Sequence, residues 1–152
     1  MKYSQVVVFL LLILYHSVIL NPIEKKFSSQ CFPHSSIIRR PSEKCIKKTV
    51  LHQNCLGLPS GNSEIITIVT VLLYHYKVLS LPLSLFLILV VGMQRILLKK
   101  HTLLQVIAGI FLGFLYSSFY YYLNLSFLCL LFPILITLPL VLFIRSQQVY
   151  VK

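Results

Sequence analysis

Five runs of apolar residues, separated by shorter polar segments, dominate the chain. They cover residues 6–20, 63–78, 81–93, 102–123 and 125–144. A helix needs about 20 residues to cross a bilayer, with about 17 near the lower limit, so the polar flanks of the two shortest runs are expected at the interface. Inside a bilayer, helices satisfy their own backbone hydrogen bonds. The pattern predicts an all-α, multi-pass transmembrane helical bundle of about five spans.

The polar stretch at residues 21–62 divides the chain. It contains four prolines, which break helices, and it is therefore expected to be a membrane-surface loop with at most short helices. No small-residue cleavage pattern follows the first run, so an uncleaved anchor is favoured over a signal peptide. The predicted units are an N-terminal transmembrane anchor at 1–20, a basic loop at 21–62, a four-span core at 63–145 and a polar tail at 146–152.

Composition and charge agree with a membrane protein. The chain is 57% hydrophobic and 11% charged, whereas soluble domains have about 45–50% and about 25%. It has 14 Lys and Arg against 3 Asp and Glu, and five spans would place twelve of the 14 on one side. No RNA-binding aromatic motif accompanies them, so lipid headgroups or a phosphorylated substrate are favoured over nucleic acid. The positive-inside rule would place this basic side in the cytosol.

A first fragment that could bind an anion is Pro59-Ser60-Gly61-Asn62, just before an apolar run. Its residues favour a tight turn. A helix that begins at Ser63 would direct its free N–H groups and the positive end of its dipole at this turn. The plain alternative is an ordinary loop with an N-cap at Asn62 or Ser63.

A second fragment, Arg95-x5-His101-x3-Gln105, joins two apolar runs. His101 and Gln105 are four residues apart and share a helical face. The Gln105 oxygen could fix the tautomer of His101 and leave its other ring nitrogen free to attack phosphorus. Arg95 could hold a phosphate through two parallel hydrogen bonds. The alternative is that Arg95, Lys99 and Lys100 extend to the interface beside a passive histidine.

Taken together, the fragments resemble the second and third motifs of the type 2 phosphatidic acid phosphatase superfamily, P-S-G-H and S-R-x5-H-x3-D. By the span count both lie on one side of the membrane, as does Arg40-Pro41. The segment from His101 to Val106, followed by Gly109, looks like that of dolichyldiphosphatases, which also have Gln in place of Asp. The resemblance covers about residues 38–120.

This resemblance implies a lipid phosphatase that hydrolyses a polyprenyl, dolichyl-type diphosphate through a phosphohistidine at His101. Gln105 would orient His101, and Asn62 occupies the position of the family's acid. Phosphate binding would fall to Arg95, Arg40, Ser60 and Gly61. No metal or other cofactor is implied, the partners are the lipid substrate and the membrane, and the location is the endoplasmic reticulum with the site facing its lumen. The oligomeric state stays open.

Besides Gln105, three positions depart from the family motifs. The lysine of the first motif, K-x6-R-P, is Pro33, which leaves Lys25, Lys26 or Lys44 as candidates to replace it in space. The serine before the motif arginine is Gln94. The third departure is Asn62, which donates a hydrogen bond but cannot transfer a proton at ordinary pH.

The loss of the acid at Asn62 affects some substrates more than others. Positioned acid catalysis contributes about 10²–10⁴-fold. An alkoxide leaving group needs that proton, whereas a phosphate released from a diphosphate needs it less, so Asn62 favours a diphosphate substrate. Glu64, one turn away, is a candidate partner of the helix dipole or surrogate acid. The alternatives are a catalytically silent protein that binds lipid phosphates, and an unrelated small multi-pass membrane protein.

Other residues receive structural interpretations. His16, His75 and Tyr120 to Tyr122 lie near run ends and are expected at the interface. Gly109-x3-Gly113 is expected to permit close helix packing within the chain rather than dimerisation. Cys31, Cys45 and Cys55 share the polar loop, where a disulfide requires an oxidising compartment and unpaired thiols are the alternative.

Overall fold

The computed structural model describes residues 3–31, 39–41 and 55–124, together with the single positions Leu135 and Pro139. The helices are α1 (Tyr3–Tyr15), a π-helical turn (His16–Leu20), α2 (Asn21–Cys31), α3 (Gly61–His75), α4 (Leu81–Leu97) and α5 (Leu103–Tyr122). An isolated antiparallel bridge joins Arg39 to Leu56. The predicted all-helical class is confirmed for this part of the chain.

The N-terminal helix is continuous from Tyr3 to Cys31, 29 residues in all. In its π-helical turn the Asn21 N–H bonds to the carbonyl of His16, five residues earlier. In a regular α-helix the ring of Pro22 would collide with the carbonyl four residues before it. The wider π turn stands directly before Pro22. The structure therefore differs from the predicted boundary at residue 20, because the helix passes through Pro22 and continues to Cys31.

Two helices, Tyr3–Cys31 and Leu103–Tyr122, are long and apolar enough to cross a membrane, judged by length and composition. Helix α4 is apolar but has 17 residues, and α3 has 15. The predicted fifth run at 125–144 lies outside the described residues apart from Leu135 and Pro139. A membrane protein is supported, and the count of five spans stays a prediction.

Helices α3 and α5 pack at backbone contact. A Cβ atom added at Gly109 would collide with the Ser60 carbonyl oxygen. One added at Gly113 would lie 2.6 Å from the Glu64 carbonyl oxygen and 2.7 Å from Cβ of Thr67. The predicted use of the two glycines in packing within the chain is confirmed, and this close approach sets the distance between the start of α3 and the start of α5.

Buried polar side chains link the N-terminal helix to α3 and α5. His16 Nδ1 lies 3.0 Å from Glu64 Oε1, and His16 Nε2 contacts the Tyr120 hydroxyl. Asn21 Nδ2 donates to Glu64 Oε2 at 3.1 Å, and the Tyr116 hydroxyl donates to Glu24 at 2.6 Å. Apolar residues of α1, α3 and α5 surround this cluster. These contacts hold the N-terminal helix beside the start of α3.

The expected interfacial positions of His16 and Tyr120 are wrong. Both side chains are completely buried. A polar group in an apolar interior needs hydrogen-bond partners, and Glu64 supplies one for His16. His75, by contrast, is half-buried and stacks on Tyr121, with ring centroids 4.3 Å apart.

We expect Gly113→Leu to destabilise the chain, because the new side chain would have to push α3 and α5 apart. Overpacking of a close contact costs about 1–3 kcal/mol or more. Thermal unfolding of the purified protein in detergent measures the effect. Phe111→Leu is the matched control, since it places leucine on the same helix at a side chain that is 61% exposed. Equal unfolding temperatures for the two variants would contradict the close approach.

Candidate active site

The turn at residues 59–62 opens onto the start of α3. The helix begins at Gly61, with Ser60 as its extended N-cap residue, and not at Ser63 as expected. The Ser60 hydroxyl is buried and pairs with the Ser63 hydroxyl at 3.0 Å. Asn62 therefore lies in the first helical turn, with its side chain exposed. First-turn N–H groups have no acceptor within the helix, so they form the positive end of α3.

The N-terminal helix packs directly against this turn. A Cβ atom at Gly61 would lie 2.5 Å from the Asn21 Oδ1 atom, so only glycine fits here without a shift. Glu64, the next acidic residue, is completely buried, and its two oxygens bind His16 and Asn21. These bonds hold its carboxyl group in the core, which does not support Glu64 as a surrogate acid.

A sharp reversal of the chain brings Arg95 next to His101. Arg95 lies in the last turn of α4, which continues beyond the predicted end at Met93. The Arg95 carbonyl oxygen accepts hydrogen bonds from the N–H groups of Lys100 at 3.1 Å and His101 at 3.2 Å. Lys99 takes the left-handed conformation with φ 51°, as helix C-termini often require. His101 immediately precedes Thr102, the N-cap residue of α5.

The His101 imidazole is held in one tautomer. Its side chain is buried, and Nδ1 lies 3.0 Å from the Gly57 carbonyl oxygen and 3.2 Å from Gln105 Oε1. Both neighbours are acceptors, so Nδ1 carries the proton and donates it. The other nitrogen, Nε2, then has a free lone pair, which is the form a nucleophilic histidine needs.

The buried side chain of Gln105 connects three segments. Its Oε1 atom accepts from His101 and from the Thr102 N–H, the latter at 3.1 Å. Its Nε2 atom donates to the Arg39 carbonyl oxygen at 2.8 Å. Its own carbonyl oxygen accepts the Ser60 N–H at 3.0 Å. The sequence analysis predicted only the contact with His101. The contact with Thr102 has a local signal, the capping-box pattern T-x-x-Q, whereas Arg39 and Ser60 lie in segments distant along the chain.

Arg40 reaches the site because its segment pairs with residues 55–57. The Arg40 N–H donates to the Cys55 carbonyl oxygen at 2.9 Å, and Arg40 Nε donates to the Leu56 carbonyl oxygen at 3.2 Å. Partial burial lowers the pKa of the Arg40 guanidinium, and the neighbouring charge of Arg95 lowers it further. The two arginines therefore lie close together despite their like charge.

Three cations act electrostatically on His101. Burial lowers the pKa of His101 to about 4, and the charges of Arg40, Arg95 and Lys25 act in the same direction, while the hydrogen bond that His101 donates to Gln105 opposes them. The imidazole is therefore neutral at neutral pH. Of the candidates for the absent motif lysine, Lys25 approaches the site, Lys26 is exposed, and Lys44 lies outside the described residues.

Within the described residues no carboxylate forms an ion pair with these cations, although the buried Glu24 and Glu64 act on Lys25 at longer range. Among those residues, His16 forms an ion pair with Glu64. The buried Nε atom of Arg95 has no hydrogen-bond partner among them. Nor do those residues contain three or more His, Cys, Asp or Glu side chains grouped to hold a metal ion. Positive charge concentrated beside a neutral nucleophile suits an anionic ligand.

The predicted site residues are partly brought together. The residues that meet are His101, Gln105, Arg95, Arg40 and Ser60. Gly61 and Asn62 follow Ser60 at the start of α3, where the side chain of Asn62 is exposed. Gln94 is exposed on α4. Sequence reasoning did not single out Gly57, whose carbonyl oxygen binds His101 from 44 positions away.

We expect His101 to remain neutral down to about pH 4, because burial and three cations disfavour the imidazolium. The ring resonances of histidine-labelled protein in detergent micelles, followed from pH 8 to pH 3.5, measure this. A His101→Asn sample identifies the His101 signals. A midpoint near the ordinary 6.5 would contradict the charge arrangement described here.

Comparison with known proteins agrees with the motif resemblance. A protein-family model described as the PAP2 superfamily matches residues 6–129, which include the Pro59–Asn62 turn, Arg95, His101 and Gln105. No curated protein and no solved structure gives a significant match. The family match supports a phosphatase that acts on lipid phosphates. Because the match covers most of the chain, the chain belongs to the PAP2 superfamily.

Proposed function

We propose that this protein is a membrane phosphatase that hydrolyses a polyprenyl, dolichyl-type diphosphate through a phosphohistidine at His101. The observation that carries the proposal is the state of His101. Its imidazole is buried and neutral, its Nδ1 proton is engaged by Gly57 and Gln105, and its other nitrogen is free. The cations around it have no carboxylate partner in the described part of the chain.

The reaction has two steps. In the first, His101 Nε2 attacks the terminal phosphorus in line, a P–N bond forms, and the P–O bond to the leaving lipid monophosphate breaks. In the second, water attacks the phosphohistidine, inorganic phosphate leaves, and the neutral imidazole is regenerated as the water proton passes to the products. Arg40, Arg95 and the first-turn amides of α3 stabilise the charge on the equatorial oxygens.

The choice of substrate follows from Asn62. In this superfamily a histidine at that position would protonate the leaving group, and an amide cannot. A lipid monophosphate leaves as a stabilised anion, whereas the alkoxide released from a monoester requires a proton. The nearest acid, Glu64, is buried and bound by His16 and Asn21, so it does not replace the missing histidine. This favours diphosphates over monoesters such as phosphatidate.

The site is proposed to face an oxidising compartment such as the lumen of the endoplasmic reticulum. Cys55, beside the Leu56-Gly57 segment that contacts His101, is disulfide-bonded, whereas Cys31 is a free thiol. Disulfides persist in oxidising compartments. The count of basic residues favours the cytosol even when Arg40, Arg95 and Lys25 are assigned to the anion site, so the proposal of an oxidising compartment rests on the disulfide.

We expect the purified protein to release phosphate from polyprenyl diphosphate and His101→Ala to lower kcat by at least about 10³-fold, as loss of a nucleophile does. His75→Ala is the matched control, because it makes the same change at a half-buried histidine on the end of α3. Phosphate release in detergent, with unfolding temperatures for every variant, is the measurement. His101→Gln keeps a polar side chain of similar size, so a loss of activity in this variant can be assigned to the missing nucleophile rather than to misfolding.

Phosphate release that persists in both His101 variants would exclude the histidine mechanism. A folded wild-type protein that binds a diphosphate lipid but never turns it over would instead support the silent, binding-only alternative, which the absence of an acid at Asn62 specifically favours.

A second prediction concerns the acid that is missing at Asn62. We expect Asn62→His to raise phosphatidate hydrolysis by about 10²–10⁴-fold, because a protonated histidine can supply the proton that the alkoxide needs. Diphosphate hydrolysis should change far less, since its leaving group needs little protonation. The ratio of kcat/KM for the two substrates is the measurement. An equal gain on both substrates would contradict the leaving-group explanation.

A further inference from the structure

Lys25 belongs to the N-terminal helix and to none of the motif segments. It is half-buried, while its neighbour Lys26 is exposed. Its ammonium group interacts electrostatically with Arg40 and Arg95 and also with the buried Glu24 and Glu64. Lys25 is therefore close enough to the anion site and to the buried polar cluster of the N-terminal helix for both to act on its charge.

The packing of α2 sets which side of the anion site Lys25 occupies. Asn21 lies directly over the start of α3, where a Cβ atom at Gly61 would meet it at 2.5 Å. Asn21 also donates to Glu64 at 3.1 Å, one turn into the same helix. Residues four apart share a helical face, so Lys25 lies on the face of α2 that covers this turn, about 5–6 Å further along.

The two carboxyl groups near Lys25 hold the N-terminal helix in place and form no ion pair with Lys25 in the described part of the chain. Glu64 is bound by His16 and Asn21, and Glu24 accepts the hydroxyl of Tyr116 at 2.6 Å. Neither carboxyl group forms an ion pair with Lys25 in the part of the chain that the structure describes. The ammonium group is therefore positioned by its backbone and left available to an anion.

In an in-line displacement the nucleophile and the leaving oxygen stand on opposite sides of phosphorus. His101 attacks from the side of Gly57 and Gln105. In this superfamily the residue at the position of Asn62 protonates the leaving group, so the departing group is expected beside the turn that carries Asn62. We infer that Lys25 contacts the leaving phosphate of the diphosphate and stabilises the charge that develops on its bridging oxygen. This inference rests on the proposed function.

The step requires no proton from Lys25. As the P–O bond breaks, its electron pair stays on the bridging oxygen, and the ammonium group donates a hydrogen bond to that anion. A hydrogen bond from a charged donor in a site shielded from water commonly contributes about 10²–10³-fold to kcat. The same contact would strengthen binding of the second phosphate group, which a monoester lacks.

Binding without turnover tests the assignment. Two lipid analogues of equal chain length are compared on the full chain in detergent: a methylene-diphosphonate, which has both phosphoryl groups, and a phosphonate, which has one. We expect Lys25→Met to weaken binding of the diphosphonate by about 10–100-fold and to leave binding of the phosphonate nearly unchanged. Lys25→Arg should retain most of the affinity, and Lys26→Met, at the exposed neighbour, should match the wild type.

Each other result overturns the inference in a different way. Equal weakening of both analogues would place Lys25 beside the transferred phosphate instead of the leaving one. Unchanged binding of both, with an intact unfolding temperature, would remove Lys25 from the site. Wild-type protein that binds neither analogue would overturn the proposed function itself, and the inference with it. Lys25→Met retains most of the apolar stem, so a selective loss cannot be attributed to a packing defect.

Discussion

The buried amide of Gln105 is the interaction on which the site depends. Its oxygen accepts from His101 and from the backbone of Thr102, and its nitrogen donates to the carbonyl of Arg39. A buried hydrogen bond contributes about 0.5–1.5 kcal/mol net, whereas a buried group left without its partner costs about 1–3 kcal/mol. One side chain therefore links the histidine, the start of α5 and the arginine segment, which also pairs with residues 55–57.

This role gives a physical reason for glutamine where most of the superfamily has aspartate. A carboxylate at residue 105 could accept from His101, but it has no N–H to donate to the Arg39 carbonyl, and it would leave that oxygen facing a negative charge. The glutamine also fits only because Gly57 has no side chain, since a Cβ atom there would lie 2.5 Å from the amide oxygen. The amide and the glycine thus form one unit, and a change in either would move Arg40 away from His101.

How far the sequence predicted the molecule depends on the distance between partners along the chain. The contact of His101 with Gln105 and the helices after residue 60 follow from local spacing and hydrophobic runs. His16 lies 48 positions from Glu64 and 104 positions from Tyr120 along the chain, so no local sequence pattern indicates these contacts. His16 and Tyr120 were therefore expected at the interface. The predicted end of the first helix was wrong for a related reason. The π turn that accommodates Pro22 depends on backbone geometry rather than on composition.

The two departures at Asn62 and Gln105 remove ionisable groups from the site, and they have a common electrostatic consequence. An aspartate beside His101 would favour the imidazolium, whereas the neutral amide allows burial and the cations to lower the pKa of His101 to about 4. The net positive charge around the nucleophile is also greater by the charge of the missing carboxylate. A diphosphate carries more negative charge than a monoester, so it gains more from that field. Asn62 weakens protonation of the leaving group, and Gln105 makes the site more positive. Both therefore favour a diphosphate substrate.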